Sequence, residues 1–161
     1  MDQLATVRQA QIYAMDLTAR TLGHLLAPVG QEQATTLRDG PDGWTTVEVV
    51  CHLRDFDGFF RGRAEMMLAE ETPQLPAYDH EAIAIERNYN ADQLADAYAD
   101  FLASRAKTRA LFANLTPEQW ERGGIHPERG PFSLTDAAMQ VGLHDLGHIE
   151  QILKILTGRV G

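Results

Sequence analysis

The sequence predicts an all-α protein, a four-helix bundle with long connections and short extra helices, built by residues 1–161 as one domain. Three observations predict it. Four long segments repeat apolar residues at steps of three and four, the period of a helix with one buried face. Capping sequences stand where several helices should begin. No convincing alternating strand is found, and with 44% apolar and 23% charged residues the chain has material for an ordinary core.

The first helix is expected from about Asp2, a good N-cap, to about Leu26, ending before Pro28 and Gly30. A polar loop punctuated by Gly40, Pro41, Asp42 and Gly43 follows. Thr45 opens the second helix, with Glu48 placed to reach back as the other half of a capping box. Glu48 thus has a structural role, with support of His52 one turn on as the alternative. This helix continues through Phe56, Phe60 and Met67 to about Glu71, where Thr72, Pro73 and Pro76 stop it. A short helix is expected around Asp79 to Arg87. Asn90 is read as the cap of the third long helix, whose buried side is Leu94, Ala97, Tyr98, Phe101, Leu102, Ala106, Leu111 and Phe112. Thr116, Pro117 and Gln119 form a short capped turn that brings Trp120 onto the bundle. A loop from Gly123 to Pro131 leads to Ser133, which opens the last helix.

Histidines interrupt two of the apolar seams. Leu134, Ala137, Val141, His144, His148, Ile152 and Ile155 trace one stripe, so two imidazoles four residues apart project from the face that should be buried. Val49, His52, Phe56, Phe59, Arg63 and Met67 trace the stripe of the second helix and add a third. A buried imidazole without a partner costs roughly 1–3 kcal/mol, so three facing one interior need a common reason. A lone core histidine is usually bonded to a backbone carbonyl. For the three together a shared divalent metal is the better account, because neutral imidazole is a common metal ligand. Three such ligands leave a position open for water or substrate, the mark of a catalytic rather than a closed site.

The other candidates have plainer readings. Cys51 points about 100° away from His52 on a helix and is read as a small buried hydrophobe. With Asp145 after the first histidine and no histidine farther on, the zincin protease pattern is not met. Asp145 is read as a surface residue or a support for a ligand. His24, His80 and His126 are read as ordinary polar residues, the last two being placed to line the mouth of a site. Arg63 and Arg87 are read as exposed ion-pairing residues, with a carboxylate on a small thiol as their alternative partner.

The formal net charge of −9 argues against nucleic acid as a partner, which needs clustered Lys and Arg. No apolar run approaches eighteen residues and no leader pattern is found, so membrane insertion and secretion are not expected. A single cysteine permits no intrachain disulfide and agrees with a cytoplasmic location.

WTTVEVVCHLRD, followed far downstream by HDLGHIEQI, resembles the signature of the DinB/YfiT-like superfamily over nearly the whole chain. The resemblance implies a four-helix bundle, often a homodimer, with zinc or nickel held by residues matching His52, His144 and His148. It also implies a small-molecule substrate, since members with assigned activity use bacillithiol, mycothiol or glutathione as thiol. The leading expectation is therefore a metal-dependent S-transferase. A non-catalytic metal- or ligand-binding bundle and a metal-assisted hydrolase are the alternatives. Although the family includes damage-inducible proteins, the acidic balance gives no support to DNA contact.

Overall fold

The computed structural model describes residues 3–158. Four long helices dominate, as expected: α1 (Gln3–Leu26), α3 (Thr46–Ala69), α5 (Leu94–Ala113) and α7 (Leu134–Thr157). Short elements join them: α2 (Gln31–Thr36), α4 (His80–Glu86), a 3-10 turn (Tyr89–Ala91), α6 (Pro117–Trp120), and strands β1 (Gly123–His126) and β2 (Gly130–Ser133). None of the described helices is long and apolar enough to cross a membrane. The N-cap read at Asp2 lies outside the described residues.

Each long helix packs on two others, α1 on α5 and α7, and α3 on α5 and α7. Thus α1 and α3 stand on one diagonal, and α5 and α7 on the other. Helices consecutive in the chain can occupy a diagonal only if the link between them is long enough to cross the bundle end. That explains the long connections before α3 and α7.

The caps follow the sequence closely. Thr45 accepts from the Glu48 amide while Glu48 accepts from the Thr45 amide, so Glu48 has the capping role. Thr116 with Gln119, and Ser133 with Asp136, close matching boxes at α6 and α7. Such caps are worth about 1 kcal/mol each. Trp120 is buried against Phe112, with the Arg8 guanidinium 4.9 Å from its ring centre.

Several expectations are corrected. Asn90 does not cap the third long helix; Gln93 does, without a side-chain bond. The free amide of Leu94 is met by Gln31 Oε1 at 2.8 Å, from α2, a short helix in the stretch expected to be loop. Asn90 instead accepts from the Thr45 hydroxyl at 2.7 Å. On α5, Leu102 and Ala106 face solvent, while Arg105 and Thr108 are buried in their place. The glycine-rich loop after Trp120 contains an antiparallel hairpin, with Gly123 paired to Ser133 and His126 to Gly130. Gly130 turns it at φ +71°, where a side chain would be strained, and a Cβ on Gly124 would stand 2.8 Å from the Pro73 carbonyl.

The apolar interior forms two clusters, one around Leu22, Val50, Phe101 and Ile152, the other around Met15, Ala64, Phe112 and Leu134. A polar layer separates them. Arg105, 3% exposed, donates to Asp57 at 2.7 Å and to both oxygens of Asp145 at 2.6 and 2.9 Å. It also reaches the Met15 carbonyl at 3.0 Å, while Thr18 bonds to Asp145 and Thr108 to Asp57. Burial works against the Arg105 charge, and the two carboxylates overcome it and raise its pKa. Asp145 is thus no surface residue: at 2% exposure it ties α7 to α5 and α1.

Candidate metal centre

The histidine site adjoins this polar layer: His144 and His148 flank Asp145 along α7, with Arg105 near enough to His144 and Asp145 near enough to His148 to affect their charge. The ligand atoms that His52, His144 and His148 can offer all fall within 4.8 Å of one another. His52 Nε2 and His144 Nε2 are 2.9 Å apart. Two α3 and α7 stripes read from spacing alone therefore meet at one point. His80 stands at the rim with its ring centre 6.1 Å from that of His52, outside the triad.

The surroundings prepare the imidazoles as ligands. His148 Nδ1 lies 2.8 Å from Gln151 Oε1, and the Gln151 amide nitrogen donates to Asp39 at 3.0 Å. With its nitrogen committed to Asp39, Gln151 presents oxygen to His148. The proton of His148 is then held on Nδ1, and Nε2 keeps its lone pair for an ion. Burial, together with the neighbouring imidazoles His144, His148 and His80, pushes His52 down to about 2. Burial, then His148, Arg105 and His80, takes His144 down to about 3. His148 is also lowered by burial, against the opposing pull of Gln151 and Asp145. All three are neutral near pH 7, as ligation requires.

The donor set fits a divalent ion. Among the described residues no group meets the buried His52 Nδ1, and the Nε2 atoms of His52 and His144 face each other closely with room for only one proton between them. A divalent cation can take the place of that shared proton and accept both lone pairs. Cys51 takes no part: buried on another side of α3, it bonds to Asp92, and burial pushes its thiol above the ordinary range.

These shifts set a pH dependence for the metal-free protein. In the unfolded chain the imidazoles protonate below about 6.5, whereas His52 and His144 stay neutral in the folded state to about 2 and 3. The unfolded state therefore binds more protons, and stability present above pH 6.5 is lost as the pH falls through that window. Chelator-treated protein should lose roughly 2–3 kcal/mol per pH unit below about pH 6 from these two groups. Urea midpoints against pH, compared with a variant carrying His52→Ala and His144→Ala, measure it; equal slopes would refute the assignment.

A cavity of about 370 Å³ opens beside the triad. His52, His144 and His148 line one end, and Arg63, His126 and Arg129 line it as well. Phe56 stacks near His52 at 4.1 Å between ring centres, and Phe60 stands edge-on to His144 at 4.9 Å. Phe56, half-buried on the α3 stripe, thus serves as cavity wall while also packing against the second apolar cluster. His80 and His126 both line the cavity, as one reading of them held. Arg87 is in an ion pair, 2.7 Å from Asp55, whereas Arg63 is buried and has no such partner among the described residues. The hairpin that delivers His126 gave little signal in the sequence, since each four-residue strand buries few apolar side chains.

Known proteins share this fold to different depths. "Putative metal-dependent hydrolase YfiT" of Bacillus subtilis is 30% identical over 128 residues, covering 79% of this chain and 70% of its own. The solved YfiT structure, described as having an unusual four-helix bundle topology, superimposes with a TM-score of 0.85 over 94% of this chain and 86% of that one. The mycothiol-dependent maleylpyruvate isomerase shares the fold at a TM-score of 0.69 and 13% identity, over 97% of this chain and 70% of that one. The sequence pattern of the DinB superfamily matches residues 14–152, a span that holds all three histidines and every long helix in whole or in part, and the chain belongs to that superfamily.

Proposed function

We propose that the protein is a metal-dependent S-transferase in which His52, His144 and His148 hold a divalent ion, zinc or nickel, and a low-molecular-weight thiol is joined to a small electrophile. The observation that supports this most directly is the convergence of three neutral imidazoles, within 4.8 Å, beside an open cavity. Three protein ligands leave coordination positions for a substrate atom. When bound, the ion supplies Lewis acidity that lowers the pKa of a thiol. The chain does the rest: Gln151 fixes the His148 tautomer, and Phe56 and Phe60 shield the site from water. In the transfer, sulfur forms a bond to the electrophilic carbon, the leaving group departs with its electron pair, and the thiol proton passes to solvent.

The test is conjugation of 1-chloro-2,4-dinitrobenzene to bacillithiol, mycothiol or glutathione by the metal-loaded protein. Acceleration at least 100-fold above the triad-to-alanine variant with one of the thiols is expected; no acceleration with any sinks the reading. The name carried by the Bacillus relative favours a second reading, hydrolysis with water as nucleophile, which predicts turnover without thiol. A homodimer belongs to the same proposal. Val7, Tyr13 and Leu17 lie exposed along α1, and Met139, Leu143, Leu146 and Leu153 along α7, and the mass in solution decides whether a second copy covers them.

A further inference from the structure

Arg105 and Arg63 are both buried, at 3% and 6% exposure, and the fold treats them differently. Arg105 has two carboxylates. Arg63 gives Nε and Nη2 to the Pro76 carbonyl, at 3.1 and 2.6 Å, and points Nη1 at His126 Nε2, 3.1 Å away. Among the described residues no carboxylate pairs with it.

The His126 contact is not a satisfied one. The amide of Glu128 donates to His126 Nδ1 at 3.2 Å, so Nδ1 must carry the lone pair and the neutral ring must carry its proton on Nε2. A guanidinium can only donate. Arg63 Nη1 and His126 Nε2 are then two N–H donors side by side, both on residues more than nine-tenths buried, both lining the cavity that the triad also lines. The other tautomer only moves the conflict to the Glu128 amide. Burial and the nearby Arg63 and Arg129 lower the His126 pKa, which keeps the ring neutral.

We propose that Arg63 and His126 form an anion subsite that binds the carboxylate of a monoanionic small-molecule substrate whose reactive end lies at the histidine triad. This rests on the S-transferase reading and names the substrate class it takes. One acceptor group resolves both donors at once, because the two oxygens of a carboxylate match two adjacent N–H groups. Charge selects the monoanion. Arg63 and Arg129 contribute positive charge and Glu128 a negative one, which leaves one net positive charge around a neutral His126. A phosphate dianion would be undercompensated there. Tyr78 continues the wall, with the Arg63 guanidinium 5.1 Å from its ring centre and Phe59 stacked on it at 4.1 Å. Phe56, edge-on to Tyr78 at 6.1 Å between ring centres, extends the same wall, and a flat or apolar substrate body can lie against it in the cavity.

Fluorine NMR titration with 4-fluorobenzoate, 4-fluorobenzamide and 4-fluorophenyl phosphate tests it, on the metal-loaded protein and after chelation. The acid should bind at least tenfold more tightly than the amide, and more tightly than the phosphate, in both forms. Arg63→Gln should bring the acid-to-amide ratio near one, and His126→Phe, which keeps the ring against Phe132, should lower it at least threefold. Zinc affinity should stay unchanged in both variants. Equal binding of acid and amide by the wild type overturns the subsite without needing any variant, as does tighter binding of the phosphate. A preference that survives Arg63→Gln but vanishes on chelation also overturns it, since the carboxylate would then sit on the metal. An acid preference in a protein that conjugates no thiol refutes the transferase reading and leaves the subsite standing. Whether the carboxylate belongs to the thiol or the electrophile is read from KM in Arg63→Gln. A rise for glutathione but not 2-mercaptoethanol assigns the thiol, and a rise for 4-chloro-3-nitrobenzoate but not 1-chloro-2,4-dinitrobenzene assigns the electrophile. No change in either pair overturns the assignment to substrate.

Discussion

Arg105→Met should destabilise the protein by about 3–5 kcal/mol, because it strands the buried Asp145 carboxylate and leaves Asp57 only the longer 3.5 Å pair with Arg61, rather than because it removes contacts. Asp57 and Asp145 are 1% and 2% exposed, and the guanidinium between them is their common cation. Against a total of roughly 5–15 kcal/mol such a loss leaves little reserve, and the melting temperature should fall by about 10 °C or more. The interpretation has its own control. If stranded charge is the cause, adding Asp57→Asn and Asp145→Asn to Arg105→Met should recover part of the loss, as replacing whole buried ion groups often does. Urea unfolding of the single and triple variants checks this; a triple variant less stable than the single would point to lost packing. Since Asp145 sits between His144 and His148 on α7, Arg105→Met should also loosen the rotational setting of that helix and weaken metal binding.

Metal removal should have the second large effect. An ion that binds only the folded state stabilises it by mass action, about 2.7 kcal/mol at a hundredfold excess over its Kd. For a chain of this size that corresponds to a rise of roughly 5–10 °C in melting temperature on adding zinc or nickel. The variant with His52, His144 and His148 all replaced by Ala should show no rise, and elemental analysis should find its metal content below a tenth of the wild type. Gln151→Leu, which leaves the three imidazoles in place and removes the acceptor that fixes His148, should weaken metal affinity by about 10–100-fold. A metal-dependent rise of equal size in the triple variant would place the ion elsewhere.

The histidine triad was legible because it breaks a pattern. Three imidazoles on otherwise aliphatic stripes mark the inward faces of α3 and α7, and periodicity alone brings them to one interior. Capping boxes at Thr45, Thr116 and Ser133 were legible for a similar reason, since both halves lie three residues apart. Long-range pairings were not. Arg105 lies on the same stripe as Ala97, Phe101 and Phe112, yet charge normally means exposure, and only Asp57 and Asp145, 48 and 40 residues away, make its burial tolerable. Its spacing was the available signal. Arg63 was visible on its stripe in the same way, but its neighbour His126 arrives on a hairpin whose short strands have too few apolar positions to declare themselves. Asn90 failed as a cap because the helix begins after Gln93 and its free Leu94 amide donates to Gln31, more than sixty residues earlier in the chain.

The hairpin and the triad have different foundations. His52 and His144 are anchored in two helices whose positions the whole bundle dictates, so a change there disturbs folding and chemistry together. The turn from Pro127 to Arg129 lies outside both apolar clusters, and Gly130 closes it without help from the core. Insertions or substitutions in that turn can reshape what enters the cavity while the bundle and its histidines stay as they are. Reaction type and ligand preference can thus diverge at separate rates within one lineage, the first held by the frame and the second free to drift with a single loop.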